Sequence, residues 1–186
     1  MKLYIKNMVS LRCKVRVTEE LSKLGLNYIK VDLGEVELMK RITIKQRKCL
    51  KENLVKFGLD LLEDKRSILI EKIKNVIIEL VHYTDDLPKT KYSDYISKKV
   101  GYDYTYLSNL FSEIKGVDIQ HFIINHKIER VKELLDYNEL NLTEISYKLH
   151  YSSVAHLSNQ FKKVTGLSPS VYRQQGQKRW NTLENI

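Results

Sequence analysis

Residues 95–116 read YISKKVGYDYTYLSNLFSEIKG and residues 144–166 read EISYKLHYSSVAHLSNQFKKVTG. In register, Ile96, Ser97, Lys99, Val100 and Tyr102 match Ile145, Ser146, Lys148, Leu149 and Tyr151. Leu107, Ser108, Asn109, Phe111 and Gly116 match Leu157, Ser158, Asn159, Phe161 and Gly166 at an offset one residue larger. The extra residue falls between the two halves. Inside a helix an insertion would rotate everything beyond it by about 100°, whereas a turn absorbs it. Each stretch is therefore expected to be a helix, a turn and a second helix.

In the first copy, Ser93 is the expected N-cap and Tyr95, Ile96, Lys99 and Val100 fall at helical spacing before Gly101. Asp103 is placed to cap the second helix, whose inward stripe is Leu107, Leu110, Phe111 and Ile114, with Gly116 as its stop. In the second copy Thr143 and Ser146 supply the cap region, Leu142, Ile145 and Leu149 the first apolar edge, and Leu157, Phe161 and Val164 the second. His150 stands where the first copy has Gly101, and lacks glycine's ease at positive φ. Between the copies Val117 to Asn138 carries Ile119, Phe122, Ile123, Ile128, Val131, Leu134 and Leu135 without Gly or Pro, which predicts one long helix holding the two units at fixed separation. A helix-turn-helix unit lays its second helix in a major groove, and two units on one side of DNA do so about one turn, roughly 34 Å, apart.

The formal charge of +9 over 186 residues favours polyanionic partners. No Asp or Glu occurs from Ile145 to Leu183, while Lys148, Lys162, Lys163, Arg173, Lys178 and Arg179 all fall there. The apolar run at Ile68–Val81 is broken by Glu71, Lys72, Lys74 and Glu79, short of the roughly 20 uncharged residues a bilayer span needs, so no membrane partner is expected. The N-terminus does not read as a signal peptide, and Cys13 and Cys49 are read as reduced thiols, which together predict a cytoplasmic protein.

Ile145, Ser146, Leu149, Tyr151, Leu157, Ser158, Phe161, Lys162, Lys163, Thr165, Gly166, Ser168, Pro169, Tyr172 and Arg173 resemble the second half of the DNA-binding domain of the AraC/XylS family of bacterial transcription regulators. The resemblance runs from about Lys91 to Arg173. Its most specific element is FKKVTGLSPSVYR. This chain departs from the family pattern at Ser146, at His150, and in having no Arg on either expected reading helix, where Arg to guanine is the commonest specific contact. By position, the resemblance implies base contacts from Thr105, Ser108 and Asn109 in the first unit and from Val154, Ala155, Ser158 and Asn159 in the second, with Tyr104, Tyr106 and His156 beside them. It implies phosphate contacts from Lys162, Lys163 and Arg173. Asn suits adenine and Ala or Val suits a thymine methyl, so an A·T-rich site is expected.

The segment before Asp64 has another rhythm. KLYIKN, the pair YIKVDL and EVELM around Gly34, and LDLLE read as strands; Cys13–Leu24 and Lys45–Phe57 read as helices. The order βαββαβ is that of a ferredoxin-like domain. MVSLRC (Met8–Cys13) resembles the Met-x-Cys-x-x-Cys loop of heavy-metal-associated domains, with Ser10 at the first Cys position. One thiolate does not make a dithiolate site, so no metal is expected and Cys13 alone stays as a candidate ligand. Arg66–Tyr83 reads as an amphipathic helix ended by TDDLPKT, because Pro88 disfavours helix at Leu87.

The expected organisation is two domains and a tail. Residues 1–64 form an α+β ferredoxin-like domain, 65–175 an all-α domain with two helix-turn-helix units joined by a long helix, and 176–186 a tail. No HExxH, GxSxG, P-loop or phosphate-binding glycine loop is present, so neither an enzyme nor a cofactor is expected. His82, His121, His126, His150 and His156 do not share metal-ligand spacing. The expected partner is double-stranded DNA, with a homodimer or a protein partner through the front domain. The alternatives are a metal-responsive regulator, a metal carrier and a protein-interaction module.

Overall fold

The computed structural model describes residues 1–84 and 90–175. The expected stop at TDDLPKT lies partly outside them, and the tail 176–186 with Lys178 and Arg179 lies wholly outside. Among the described residues no helix is long and apolar enough to cross a membrane.

The front part runs β1 (Lys2–Lys6), α1 (Leu11–Lys23), β2 (Tyr28–Asp32), β3 (Glu35–Leu38), α2 (Ile44–Val55) and β4 (Asp60–Leu62). The strands form one antiparallel sheet in the order β2-β3-β1-β4. Period-two alternation decides what it buries: Leu3, Ile5, Val36, Leu38 and Leu61 turn inward and pack with Val17 and Leu21 of α1 and Leu50 and Leu54 of α2. Helix α1 begins at Leu11, two residues before the expected Cys13. The reason is Ser10, whose hydroxyl accepts from the Cys13 N–H at 3.3 Å as an N-cap. Thr43 and Gln46 close a capping box on α2.

Helix α3 spans Lys65–Ile78 and continues as a π-helical turn, Glu79–Tyr83, where a regular helix to Tyr83 is expected. In the widened turn Leu80, Val81 and His82 are all buried. The chain divides into compact units at Val76/Ile77, not near Asp64. The cause is that the first turns of α3 belong to the sheet. Glu71 accepts from the Asn7 N–H at 3.2 Å, Lys72 Nζ lies 4.9 Å from the Tyr4 ring, and Asn75 presses on Gly34, where an added Cβ would come within 1.9 Å of its amide.

The second unit continues with α4 (Tyr92–Val100), α5 (Tyr104–Lys115), α6 (Ile119–Tyr137), α7 (Leu142–Lys148), α8 (Val154–Thr165) and α9 (Pro169–Gln175). Helices α4 and α5 form one pair and α7 and α8 the other, with α6 between them in sequence. The expected long helix is α6, and Ile119, Phe122, Ile123, Ile128, Val131, Leu134 and Leu135 are all buried along it. Phe111 of α5 meets Phe122 edge to face at 5.3 Å, while Phe161 of α8 packs in a cluster with Ile128, Val131, Leu134, Leu135, Ile145 and Tyr172.

Four local expectations change. Helix α4 starts after Lys91, which supplies no side-chain cap, and Ser93 instead pairs with Asp94. Helix α7 is capped by Asn141, not Thr143 or Ser146; Asn caps at least as well as Thr, and Glu144 three residues on completes a capping box. Ile114 and Val164 are 44% and 43% exposed, each in the last turn of its helix, where the helix runs clear of its cover. Leu142 is only half-buried.

Gly101 and His150 both take left-handed backbone, with φ of 83° and 51°. A non-glycine residue there costs about 1 kcal/mol. His150→Gly is expected to stabilise the protein by about 0.5–1 kcal/mol, read as a higher urea midpoint; an unchanged or lower midpoint would show that His150 carries no strain.

Candidate nucleic-acid interface

Each helix pair presents its second helix with the same face outward. In α5, Leu107 and Phe111 are buried, Ser108 and Tyr104 half-buried, and Thr105, Tyr106 and Asn109 exposed. In α8, Leu157 and Phe161 are buried, Ser158 and Val154 half-buried, and Ala155, His156 and Asn159 exposed. From Tyr104 to Asn109 and from Val154 to Asn159 the two profiles coincide, because the same i, i+4 pair, Leu then Phe, anchors both helices; they part at Leu110, buried where Gln160 is half-buried. Both starts are capped: Asp103 accepts from the N–H groups of Thr105 and Tyr106 at 2.8 and 3.2 Å, and Ser153 from that of His156 at 3.0 Å. Thr105, Ser108 and Asn109 therefore share one exposed helical surface, as do Ala155, Ser158 and Asn159.

The flanking residues differ more. The Tyr104 hydroxyl is held above its ordinary pKa by burial and, to a lesser degree, by the charge of Asp118. Tyr106 lies 5.7 Å from Tyr102, ring to ring. The His156 ring is fixed, its Nδ1 2.9 Å from the Ser152 hydroxyl and its edge against Tyr151. Lys162 and Lys163 are exposed in the last turn of α8. Arg173 instead donates to the Leu140 carbonyl at 2.7 Å, tying α9 to the start of the second pair.

At the other end of the chain, in the Met8–Cys13 loop, Ser10 serves as a helix cap and Met8 is fully buried in the sheet core. Among the described residues no group of three or more His, Cys, Asp or Glu is placed to hold a metal ion.

A helix-turn-helix domain family matches residues 96–175. An uncharacterized HTH-type transcriptional regulator of Staphylococcus aureus is 33% identical over 110 residues, which cover 58% of this chain and 14% of that protein. The uncharacterized HTH-type transcriptional regulator YtdP of Bacillus subtilis is 27% identical over 105 residues, 56% of this chain and 13% of that protein. This chain thus spans about a seventh of the length of the curated relatives it matches. Among solved structures, the C-terminal domain of AraT, a response regulator from Geobacillus stearothermophilus, superposes with a TM-score of 0.51 at 24% identity, covering 64% of this chain and 94% of that one. A DNA-binding transcriptional dual regulator from Escherichia coli K-12 gives a TM-score of 0.50 at 14% identity, covering 60% and 94%. Residues 96–175 thus match a helix-turn-helix domain, and the helical fold is shared with these two solved structures.

Two buried polar groups were not foreseen from sequence. His82 and His126, 44 residues apart, meet at 3.3 Å between Nε2 and Nδ1, and His82 Nδ1 lies 3.5 Å from Glu133. Lys127 is buried on α6, donates to the Leu149 carbonyl at 2.8 Å, and sits 5.1 and 4.9 Å from the rings of Tyr92 and Tyr151. A signal for it exists: Lys127 follows Ile123 and precedes Val131 by four residues, on the buried stripe itself.

Burial lowers the Lys127 ammonium from 10.5 to about 8, and pushes the Tyr92 hydroxyl up to about 12 and that of Tyr151 upward. Between about pH 8 and 10.5 the unfolded chain keeps the Lys127 proton while the folded chain releases it, so this group's contribution to stability rises with pH. Urea unfolding at pH 7.5 and 9.5 is expected to show the wild type gaining stability relative to Lys127→Met across that interval; a constant difference would place the ammonium in a solvated setting.

Proposed function

We propose that the C-terminal unit binds double-stranded DNA sequence-specifically and regulates transcription, with α5 and α8 inserted in adjacent major-groove segments as two helix-turn-helix readers. One observation carries this reading: Ser108 and Asn109 recur as Ser158 and Asn159 at the same outward positions of two helices anchored alike. Similarity to HTH-type regulators supports the DNA-binding role, and the AraC/XylS resemblance supports the division into two readers. The role is recognition and not catalysis.

Thr105, Ser108 and Asn109 are the base-reading set of the first helix, and Val154, Ala155, Ser158 and Asn159 that of the second. Tyr104 and His156 act from the margins, Tyr104 being half-buried and His156 held by Ser152 and Tyr151. Lys162 and Lys163 pair with phosphate. Arg173 is oriented by Leu140 and offers its remaining donors to the backbone. The bases favoured are A·T, because amide side chains match adenine and Ala155 and Val154 match thymine methyls.

The front unit, with its order β2-β3-β1-β4, is read as ferredoxin-like. Its role is to engage a second copy or a protein partner, a reading supported by Leu11 and Val15, more than half exposed one turn apart on α1.

Selection from a random duplex pool is expected to enrich one A·T-rich site. Asn109→Ala and Asn159→Ala would each relax preference at one position by about 1–3 kcal/mol. Lys162→Ala and Lys163→Ala would weaken all duplexes alike and each flatten the salt slope by about 1. Recovery of G·C-rich sequences would overturn the base assignment, and binding without enrichment would reduce the interaction to phosphate alone.

A further inference from the structure

The buried ammonium of Lys127 touches three separate parts of the second unit. Its own helix is α6. Tyr92, whose ring lies 5.1 Å from Nζ, is the first residue of α4 and belongs to the first helix pair. Leu149, whose carbonyl accepts from Nζ at 2.8 Å, closes α7, and Tyr151, with its ring 4.9 Å away, follows the left-handed turn at His150. Leu149 and Tyr151 belong to the second pair. One cation thus bridges the linking helix, the start of the first pair and the turn of the second.

Stability does not explain a charge in this place. Burial opposes the ammonium, and among the described residues no carboxylate is recorded against it. The Tyr92 and Tyr151 hydroxyls are buried without a hydrogen-bond partner among the described residues, and Nζ lies over the face of both rings. An apolar side chain of equal length would fill the same space at lower desolvation cost, and replacing buried charges by apolar groups is often neutral or stabilising. What the ammonium adds is direction. A hydrogen bond and two ring contacts fix angle and distance, whereas apolar surfaces slide past one another.

We infer that Lys127 is a positioning residue that sets the separation and orientation of the two reader helices, and thereby the spacing of the DNA half-sites this protein accepts. The inference rests on the two-reader proposal above. Lys127 does not touch DNA. It acts through Tyr92 on the pair containing α5, and through Leu149 and Tyr151 on the pair containing α8.

The test uses the full chain and the selected duplex, together with duplexes carrying one or two base pairs inserted between half-sites and duplexes with either half-site scrambled. Lys127→Met keeps the aliphatic stem and removes the charge, so it is expected to fold at least as stably as the wild type. It should bind single half-sites unchanged, while its preference for the native spacing over the inserted ones falls about tenfold. Lys127→Arg, which can also donate to the carbonyl and stack on both rings, should restore the preference. Wild-type spacing preference in folded Lys127→Met would overturn the inference, as would equal losses on full and single half-sites. Should Lys127→Met not fold, Tyr92→Leu, which leaves the bond to Leu149, decides by the same readouts. A wild type indifferent to spacing would defeat the two-reader proposal itself, an outcome distinct from a variant that keeps a preference the wild type shows.

Discussion

Neither helix pair of the C-terminal unit has enough apolar surface to fold alone, and both complete their cores against one helix, α6. A unit of two short helices buries too small a fraction of its surface to offset the chain entropy lost on ordering. Helix α6 resolves this by being apolar on more than one side. Phe122 takes Phe111 from the first pair; Ile128, Val131, Leu134 and Leu135 take Ile145, Leu157 and Phe161 from the second. Truncating either phenylalanine would cost about 3–5 kcal/mol, a large share of a domain's stability. The same arrangement that makes the unit stable makes the two outward faces parts of one body.

Much of this was legible because the sequence states it twice. The internal repeat located four helices and two turns, since an insertion tolerated between Val100 and Val154 equivalents is only compatible with a turn. The glycines at 101, 116 and 166 mark left-handed helix ends that the structure shows. The outward set, Thr105, Ser108 and Asn109 with Ala155, Ser158 and Asn159, followed from the same register. Caps are less legible: Thr143 and Ser146 compete with Asn141 for the role in the sequence, and only the pairing with Glu144 separates them. Ile114 and Val164 fit the helical period but lie past the end of their cover, which a period does not reveal.

The helical stripe shows that Lys127 is buried, but the partners of the long-range polar contacts are not legible in the sequence. His82 and His126 are joined only by the packing of a π-helical turn on α6, and Lys127 meets the second pair 22 residues on, at a carbonyl. Nothing local in either case announces the partner. The front unit shows the same limit at α3: its apolar spacing predicts a helix, but not that Glu71, Lys72 and Asn75 commit its first turns to the sheet. In function, these contacts matter most where they link elements that carry the outward faces. Repetition supplies two helices with matching outward faces, and buried polar contacts join the elements that carry them.

The central claim is that a single chain reads two adjacent major-groove segments. The most direct measurement is a hydroxyl-radical footprint on the selected duplex, combined with the stoichiometry of the complex by analytical ultracentrifugation. The account predicts two protected segments on one face of the helix, about 10 base pairs between centres, with one C-terminal unit bound per pair of segments. A single protected segment per chain, or two segments that appear only when two chains are bound, would contradict it.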